Sequence, residues 1–223
     1  MSTSSKTIVT IYFTVLDQPL TTDKLHLLLH ELPPFLHERI LRFRLESDQQ
    51  LNLLAYLLLQ KALCLAGYPK NRLECLRISD HGKPFIPDSL HFNLSHAHNI
   101  SVCAVSREQS IGLDVEGPRK ICLERFQDLF PSEIWQDITA APEPEKRFIS
   151  HWTRLESVLK AAGLGFKLDP AEVIWQADQA QVGPVNYTLF PLELPWPYIG
   201  HIALISRHCT MIYQPIKIQE LGG

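Results

Sequence analysis

Two acidic residues lie two positions apart in an apolar stretch, and their spacing is the first pattern in this sequence that could do chemistry. The stretch reads Ile111-Gly-Leu-Asp-Val-Glu116. In a β-strand, Asp114 and Glu116 point to one face and the residues between them to the other. Neighbouring carboxylates repel each other unless a cation lies between them, and their hard oxygen atoms favour Mg²⁺. Taken alone, such a pair is more typical of a solvated strand face.

A second pattern places a carboxylate and an ammonium group one helical turn apart. Four residues recur at every fourth position and would form one slowly drifting stripe on a helix: Phe148, Trp152, Glu156 and Lys160. An exposed Glu–Lys pair at this spacing is a common surface salt bridge, worth about 0.3–0.5 kcal/mol. The aromatic residues on the same stripe instead favour a half-buried face, which suits a cleft.

A third group of polar residues precedes the acidic strand. Gly82-Lys83-Pro84 predicts a tight turn that presents Lys83 at a loop tip. In the following FNLSH segment, Ser95 can tie down the backbone, and His96 stands at a strand end as a phosphate donor or a base. Each residue also has an ordinary structural interpretation, and the histidines of this region match no standard zinc-ligand spacing.

The order of these segments is more specific than any one of them. GKP, FNLSH, IGLDVE and WTRLESVLKAAGLG follow one another along the chain. In this order the sequence resembles the 4′-phosphopantetheinyl transferases of the two-half, surfactin-activating (Sfp) type, over roughly Arg39 to Asp169. The resemblance implies two similar α+β halves related by a pseudo-twofold axis, with the active site in the cleft between them.

The resemblance also implies an activity. Members of this family, which include the holo-[acyl-carrier-protein] synthases, move the phosphopantetheine arm of coenzyme A onto a serine of an apo acyl or peptidyl carrier protein and release adenosine 3′,5′-bisphosphate. By motif position, Asp114, Glu116 and Glu156 would hold Mg²⁺, with Mn²⁺ as the alternative. Glu156 is also the candidate general base, with Glu133 in reserve. Lys160 would contact the pyrophosphate or the leaving group.

Four further residues are expected to bind coenzyme A together with Lys160. By their match to family positions, Lys83 and His96 would hold phosphates and Ser95 would line the same pocket. Arg39, in the stretch HERILRF, is the expected contact to the 3′-phosphate. Coenzyme A and a carrier protein are therefore the expected partners.

The chain departs from the family pattern at two places. Leu155 stands where the family usually carries a lysine, and an arginine is missing near Gln50. Arg154 lies beside Leu155 but on a different side of a helix, so it is not an automatic substitute. Both replacements remove positive charge from the region expected to face phosphate and the carrier, so we expect retained metal binding and transfer with altered coenzyme A affinity or carrier choice. Leu164 and Phe166 would help to dock the carrier, and core packing is the alternative, favoured for Phe166.

The elements that must position these residues follow from periodicity and turn signals. The expected strands are Thr7–Val15, Leu76–Ser79, His91–Leu94, Ile100–Val105, Ile111–Val115, Val173–Ala177, Asn186–Glu193 and His201–Ser206. The expected helices are Leu25–Leu32, Phe35–Phe43, Asp48–Ala66, a mixed region over Leu123–Ala140, and Glu145–Ala162 with Gly163 as its C-cap. This order predicts an α+β fold with an N-terminal half at residues 1–106 and a C-terminal half at residues 107–223.

Composition sets limits on the function. The chain has 223 residues, 45% of them hydrophobic, and a net charge of −3, which argues against a nucleic-acid-binding protein. Five scattered cysteines without a CxxC spacing argue against disulfides and thiolate zinc sites and fit the cytoplasm. The apolar stretch from Leu51 is interrupted before it could span a membrane, and the N-terminus is expected to be a disordered tip before a strand rather than a signal peptide. A monomer is expected, with a local patch of Lys and Arg facing the acidic carrier.

Two other classes of function stay open. A non-catalytic module that binds coenzyme A or a carrier protein would tolerate the missing positive charges. A metal-dependent phosphoesterase could use the same three carboxylates on water. The three hypotheses differ in what they do to coenzyme A and to the carrier.

Overall fold

The chain folds into two compact units, described here from a computed structural model that covers residues 7–164 and 168–222. One unit comprises residues 7–79, 84–108 and 208–222, and the other comprises residues 80–83, 109–164 and 168–207. The strands are β1 Thr7–Val15, β2 Arg77–Ile78, β3 Pro84–Phe85, β4 His91–Ala97, β5 Ile100–Ser106, β6 Ile111–Glu116, β7 Ile174–Gln176, β8 Gln179–Val182, β9 Val185–Pro191, β10 Ile199–Leu204 and β11 Cys209–Pro215. The helices are α1 Thr22–Leu29, α2 Pro34–Leu41, α3 Glu46–Leu65, α4 Ser132–Ala140 and α5 Pro144–Ala162. The predicted α+β class is confirmed.

The first unit contains a four-stranded sheet in the order β11-β1-β5-β4. Strand β1 pairs antiparallel with β5 and parallel with β11, and β4 forms an antiparallel pair with β5. Helix α3 packs on this sheet. Its leucines are buried along most of its length, which is why this helix is apolar on more than one face. Helices α1 and α2 cover α3.

The last strand joins the first unit. Thr7 of β1 lies opposite Cys209 of β11, and the pairing continues to the residue pair Phe13–Pro215. Leu221, near the end of the chain, is buried in the same core. The compact units therefore differ from the contiguous halves at residues 1–106 and 107–223, because β11 gains its backbone partners from β1. The sequence analysis did not predict this edge strand, whose side chains are half-buried or exposed.

The second unit contains a five-stranded sheet in the order β6-β10-β9-β8-β7, with α5 packed on β6 and β10. The aromatic rings of Phe148 and Trp152, one turn apart on α5, are stacked with their centroids 6.2 Å apart. Helix α5 ends at Gly163, which has the left-handed φ of 72° that favours glycine, as predicted. The short strand β8 was not predicted.

Strand β6 and helix α5 pack backbone against backbone at one point. A Cβ atom on Gly112 would overlap the carbonyl oxygen of Ser157 and the amide nitrogen of Ala161. Glycine is therefore required for this approach. Because Asp114 follows on β6 and Lys160 precedes Ala161 on α5, the contact sets how closely the charged residues of the two elements can meet.

The first departure from the family pattern lies in the core. The side chain of Leu155 is 1% exposed and belongs to the core of the second unit, so the prediction that this position faces phosphate or the carrier is wrong. Its neighbour Arg154 donates a hydrogen bond to the carbonyl oxygen of Ala177 and lies over the ring of Trp175, 5.7 Å from its centroid. Both side chains serve the packing of the unit.

The second departure is also buried. Gln50 of α3 is 2% exposed, and its amide group both accepts a hydrogen bond from the backbone N–H of Leu20 and donates one to the Leu20 carbonyl. An arginine at Gln50 itself would have to bury its charge. The glutamine instead satisfies both polar groups of a loop residue.

Three remaining predictions concern single segments. Leu164 is half-buried and packs against the core of the second unit, which is the alternative stated above. The predictions for Phe166 and for the N-terminal tip lie outside the described residues. In the ranges that the structure describes, helices with the length and apolar character of a membrane span are absent.

Replacing Leu155 with lysine tests the core position. The Leu155→Lys variant should lose roughly 2–5 kcal/mol of the free energy of unfolding, because the change removes apolar packing and buries an ammonium group. Leu155→Met, which conserves volume, should lose less than about 1.5 kcal/mol. Urea denaturation measures both values, and wild-type stability of the lysine variant would show that the position is not a core position.

Candidate active site

An ion pair links β6 to α5 in the second unit. The Lys160 ammonium lies 2.6 Å from Oδ1 of Asp114, whose side chain is 8% exposed. The lysine side chain is 29% exposed, so its ammonium is partly open to solvent. A cation held at a buried carboxylate keeps a positive charge ready for an anionic ligand.

Glu116 lies near the same pair. It forms a salt bridge of 3.1 Å with Arg119 and accepts a hydrogen bond from Trp152. Burial raises the pKa of Glu116, and Asp114 raises it further, while the cations Arg119 and Lys160 act in the opposite direction. The predicted same-face placement of the two strand carboxylates thus brings them into electrostatic contact.

Glu156 is the most strongly perturbed of the three carboxylates. Its side chain is buried on α5, and this burial raises its pKa to about 7. Lys160 opposes the rise, whereas Asp114 and Glu116 add to it. A carboxyl group with this pKa can bind or release a proton near neutral pH. The fold therefore groups three acidic side chains that the sequence separates by up to 42 positions (Asp114 to Glu156).

The donor chemistry of this group suits Mg²⁺. Its carboxylate oxygens are hard ligands, and a divalent cation would relieve the repulsion that raises the pKa of Glu156. Within residues 7–164 and 168–222, however, three His, Cys, Asp or Glu side chains nowhere converge in a preformed metal site. The set of Asp114, Glu116 and Glu156 as metal ligands stays a prediction.

Lys83 turns inward rather than outward. Its ammonium donates hydrogen bonds to the hydroxyl of Ser110 and to the carbonyl oxygens of Ile111 and Ala161. Burial lowers its pKa to about 8. Gly82 does form the expected turn, with a φ of 86°. Presentation of the lysine at the loop tip is therefore wrong, and its contact with a coenzyme A phosphate stays a prediction.

Arg39 lies in the first unit. Its guanidinium hydrogen-bonds the hydroxyl of Tyr56. It also lines an open groove of about 480 Å³ together with Arg42, Arg77 and the acidic Glu38. The exposed ring of Phe35 forms part of the same groove. Three cations beside an aromatic ring can bind a phosphorylated, planar group.

His96 and Ser95 also lie in the first unit, on β4. The imidazole Nε2 of His96 is 2.9 Å from the amide nitrogen of Asn52 on α3. Because an amide nitrogen can only donate, Nε2 is the acceptor of this bond. Ser95 is buried, 7% exposed.

The environment of Glu133 differs from that of the three carboxylates. It is exposed in the first turn of α4, where the helix dipole stabilises an acidic side chain. It is not among the groups that shift the pKa of Glu116 or Glu156. Its role as a reserve base stays a prediction.

The sequence does not point to His201, a buried residue that lies beside Asp114 in the sheet. This residue of β10 lies directly opposite Asp114 of β6, and directly opposed residues share a face of the sheet. Its Nδ1 is 2.8 Å from the hydroxyl of Thr153 on α5, and burial lowers its pKa to about 4, so the ring is neutral at pH 7. The strand pairing reveals its place, and no spacing within the sequence does.

Comparison with known proteins decides the family. Residues 110–209 match the 4′-phosphopantetheinyl transferase superfamily (ACPS). The 4′-phosphopantetheinyl transferase gsp of Aneurinibacillus migulanus is 30% identical over 186 residues, which cover 78% of this chain and 77% of that protein. This chain belongs to the 4′-phosphopantetheinyl transferases.

Two other relatives agree with this assignment to the phosphopantetheinyl transferases. The 4′-phosphopantetheinyl transferase Sfp of Bacillus subtilis is 30% identical over 164 residues, 71% of this chain and 72% of that protein. The L-aminoadipate-semialdehyde dehydrogenase-phosphopantetheinyl transferase of Xenopus laevis is 28% identical over 155 residues, 60% of this chain and 51% of that protein. The Sfp-type resemblance is confirmed. The region matched by the family contains Asp114, Glu116, Glu156 and Lys160.

The pH dependence of stability tests the environment of Glu156. Because its pKa is raised from 4.5 to about 7 on folding, the folded state binds more protons between these values, and wild type should lose stability as pH rises through this window. Glu156→Gln removes this loss. In metal-free buffer the variant should gain about 1–2 kcal/mol relative to wild type across the window, after allowance for solvent screening.

Urea denaturation at several pH values measures this difference. Glu133→Gln is the matched control, since it makes the same chemical change at an exposed position and should run parallel to wild type. Parallel curves for Glu156→Gln and wild type would contradict the perturbed environment.

Proposed function

We propose that this transferase moves 4′-phosphopantetheine from coenzyme A to a serine hydroxyl of an apo acyl or peptidyl carrier protein. The serine oxygen attacks the phosphorus that bears the pantetheine arm, the bond to adenosine 3′,5′-bisphosphate breaks, and the serine proton passes to a base. The observation that carries the proposal is the partly buried group of three carboxylates beside Lys160, within the region matched by the family.

Glu156 is the proposed base. Without a bound cation, burial raises its pKa to about 7, so at neutral pH a fraction of the molecules carries the ionised, proton-accepting form. Its place one turn before Lys160 on α5 keeps the base and the cation on one helical stripe. Glu133 is the alternative base.

Lys160 is proposed to stabilise the leaving group. Its ammonium is already oriented by Asp114 and is partly open to solvent, so it can contact an incoming phosphate without losing its acidic partner. Mg²⁺ or Mn²⁺, held by Asp114, Glu116 and Glu156, would neutralise charge on the pyrophosphate oxygens when bound.

Coenzyme A recognition is proposed to use residues of both units. Arg39 is assigned to the 3′-phosphate, supported by the three guanidinium groups of its groove. His96, whose Nε2 lies 2.9 Å from the Asn52 amide nitrogen, is assigned to a phosphate of coenzyme A, and Ser95 is assigned to the same pocket. The family resemblance also places Lys83 in this set, although its ammonium already contacts Ser110, Ile111 and Ala161. The cleft between an N-terminal and a C-terminal half is the proposed place of the substrate.

A cytoplasmic location is proposed from the state of the cysteines. In the part of the chain that the structure describes, the five cysteines are not joined by disulfides, and reduced thiols are typical of the cytoplasm, where carrier proteins and coenzyme A would meet this enzyme. We also propose that it acts as a monomer and that a local patch of Lys and Arg receives the acidic carrier.

One assay tests the transfer and the base together. Wild type, Glu156→Gln and Glu133→Gln are each incubated with coenzyme A, Mg²⁺ and an apo carrier protein, and the carrier is weighed by mass spectrometry. Wild type should add one phosphopantetheine group. Glu156→Gln should lose about 10²–10⁴-fold in rate, the usual contribution of a general base, while Glu133→Gln keeps the wild-type rate.

Other outcomes point to other functions. Loss of activity in Glu133→Gln alone would make Glu133 the base. Hydrolysis of coenzyme A without a gain in carrier mass would support the phosphoesterase, and binding without either change would support the non-catalytic module.

A further inference from the structure

The ammonium group of Lys83 has an unusual set of partners. It lies 2.9 Å from the hydroxyl of Ser110, 3.0 Å from the carbonyl oxygen of Ile111 and 3.4 Å from the carbonyl oxygen of Ala161. An ammonium has three donors, and these three oxygen atoms provide an acceptor for each. The half-buried side chain of Lys83 therefore contacts the protein itself through these three oxygen atoms.

These partners belong to the two elements that carry the acidic residues. Ile111 is the first residue of β6, and Ala161 lies in the last turn of α5. The hydroxyl of Ser110 donates a second hydrogen bond to the Ala161 carbonyl, at 3.2 Å. Carbonyl groups in the last turn of a helix have no partner within the helix and attract cations. Lys83 and Ser110 thus join the end of α5 to the start of β6.

The contact lies close in sequence to the catalytic candidates. Asp114 is three residues after Ile111 on β6, and Lys160 directly precedes Ala161 on α5. A strand or helix moves as a rigid segment over so few residues. A shift of the α5 end relative to β6 would therefore change the 2.6 Å contact between Lys160 and Asp114.

Stability alone is a poor explanation for this lysine. Burial lowers the pKa of the ammonium to about 8, because removing the charged group from water costs free energy. An apolar side chain of similar length would fill the space without that cost. What only the ammonium supplies is three directed hydrogen bonds.

We propose that Lys83 is a positioning residue of the transferase. It fixes β6 against the end of α5 and thereby keeps Lys160 in contact with Asp114. The proposal rests on the function proposed above. It assigns Lys83 to the support of the reacting groups, whereas the family resemblance assigns it to a coenzyme A phosphate.

Kinetics of Lys83→Met and Ser110→Ala separate the two assignments. Methionine keeps the length of the side chain and removes the donors. A positioning role predicts that kcat falls about 10²-fold in Lys83→Met and falls in Ser110→Ala as well, because small displacements of reacting groups have effects of this size. The KM for coenzyme A should stay within about twofold of wild type, because no binding contact is lost. Lys146→Met, an exposed lysine at the start of α5, is the control and should behave as wild type.

The opposite pattern overturns the proposal. A KM for coenzyme A raised about tenfold at unchanged kcat in Lys83→Met, with Ser110→Ala unaffected, is the result for a phosphate contact. Wild-type kinetics in Lys83→Met would overturn it too.

Amide hydrogen exchange gives a readout that does not depend on activity. In Lys83→Met, the amides of Leu113 and of the last turn of α5 should exchange about tenfold faster than in wild type, while those of β1 stay protected. Unchanged exchange at both places would overturn the proposal. If wild type does not modify a carrier protein, the proposed function fails, and hydrogen exchange still decides whether Lys83 joins the two elements.

Discussion

The approach of β6 to α5 at Gly112 is the constraint on which the candidate site depends. A side chain at this position would overlap the backbone of Ser157 and Ala161, so the strand and the helix meet without side chains between them. Because the two backbones touch there, Asp114 of the strand can contact Lys160 of the helix at 2.6 Å. The geometry of the site therefore depends on the absence of a side chain at Gly112.

The same packing explains the electrostatics. Three carboxylates form a partly buried group with the cations Lys160 and Arg119, and burial, aided by Asp114 and Glu116, raises the pKa of Glu156 to about 7. A carboxyl group whose pKa is raised this far beside charged partners is typical of a functional site. The membership of the chain in the phosphopantetheinyl transferases and this arrangement together support the transfer proposed above.

Local patterns predicted much of this arrangement. The alternation in β1 and the capping of α5 at Gly163 are local features, and the structure has both. Features set by distant pairing could not be predicted. Strand β11 forms because β1 provides its hydrogen-bonding partner. His201 lies opposite Asp114 because of the register between β10 and β6. The prediction for Leu155 was wrong because the position of a residue in the motif does not indicate which side of α5 faces the core.

The most direct test of this account is the transfer rate of Gly112→Ala. The added methyl group should separate β6 from α5, cost about 1–3 kcal/mol of stability, and lower the rate about 10²-fold in protein that is still folded. Gly222→Ala, whose Cβ would meet only the end of the Leu28 side chain, is the control. A folded Gly112→Ala variant with the wild-type rate would contradict the claim that this contact sets the geometry of the site.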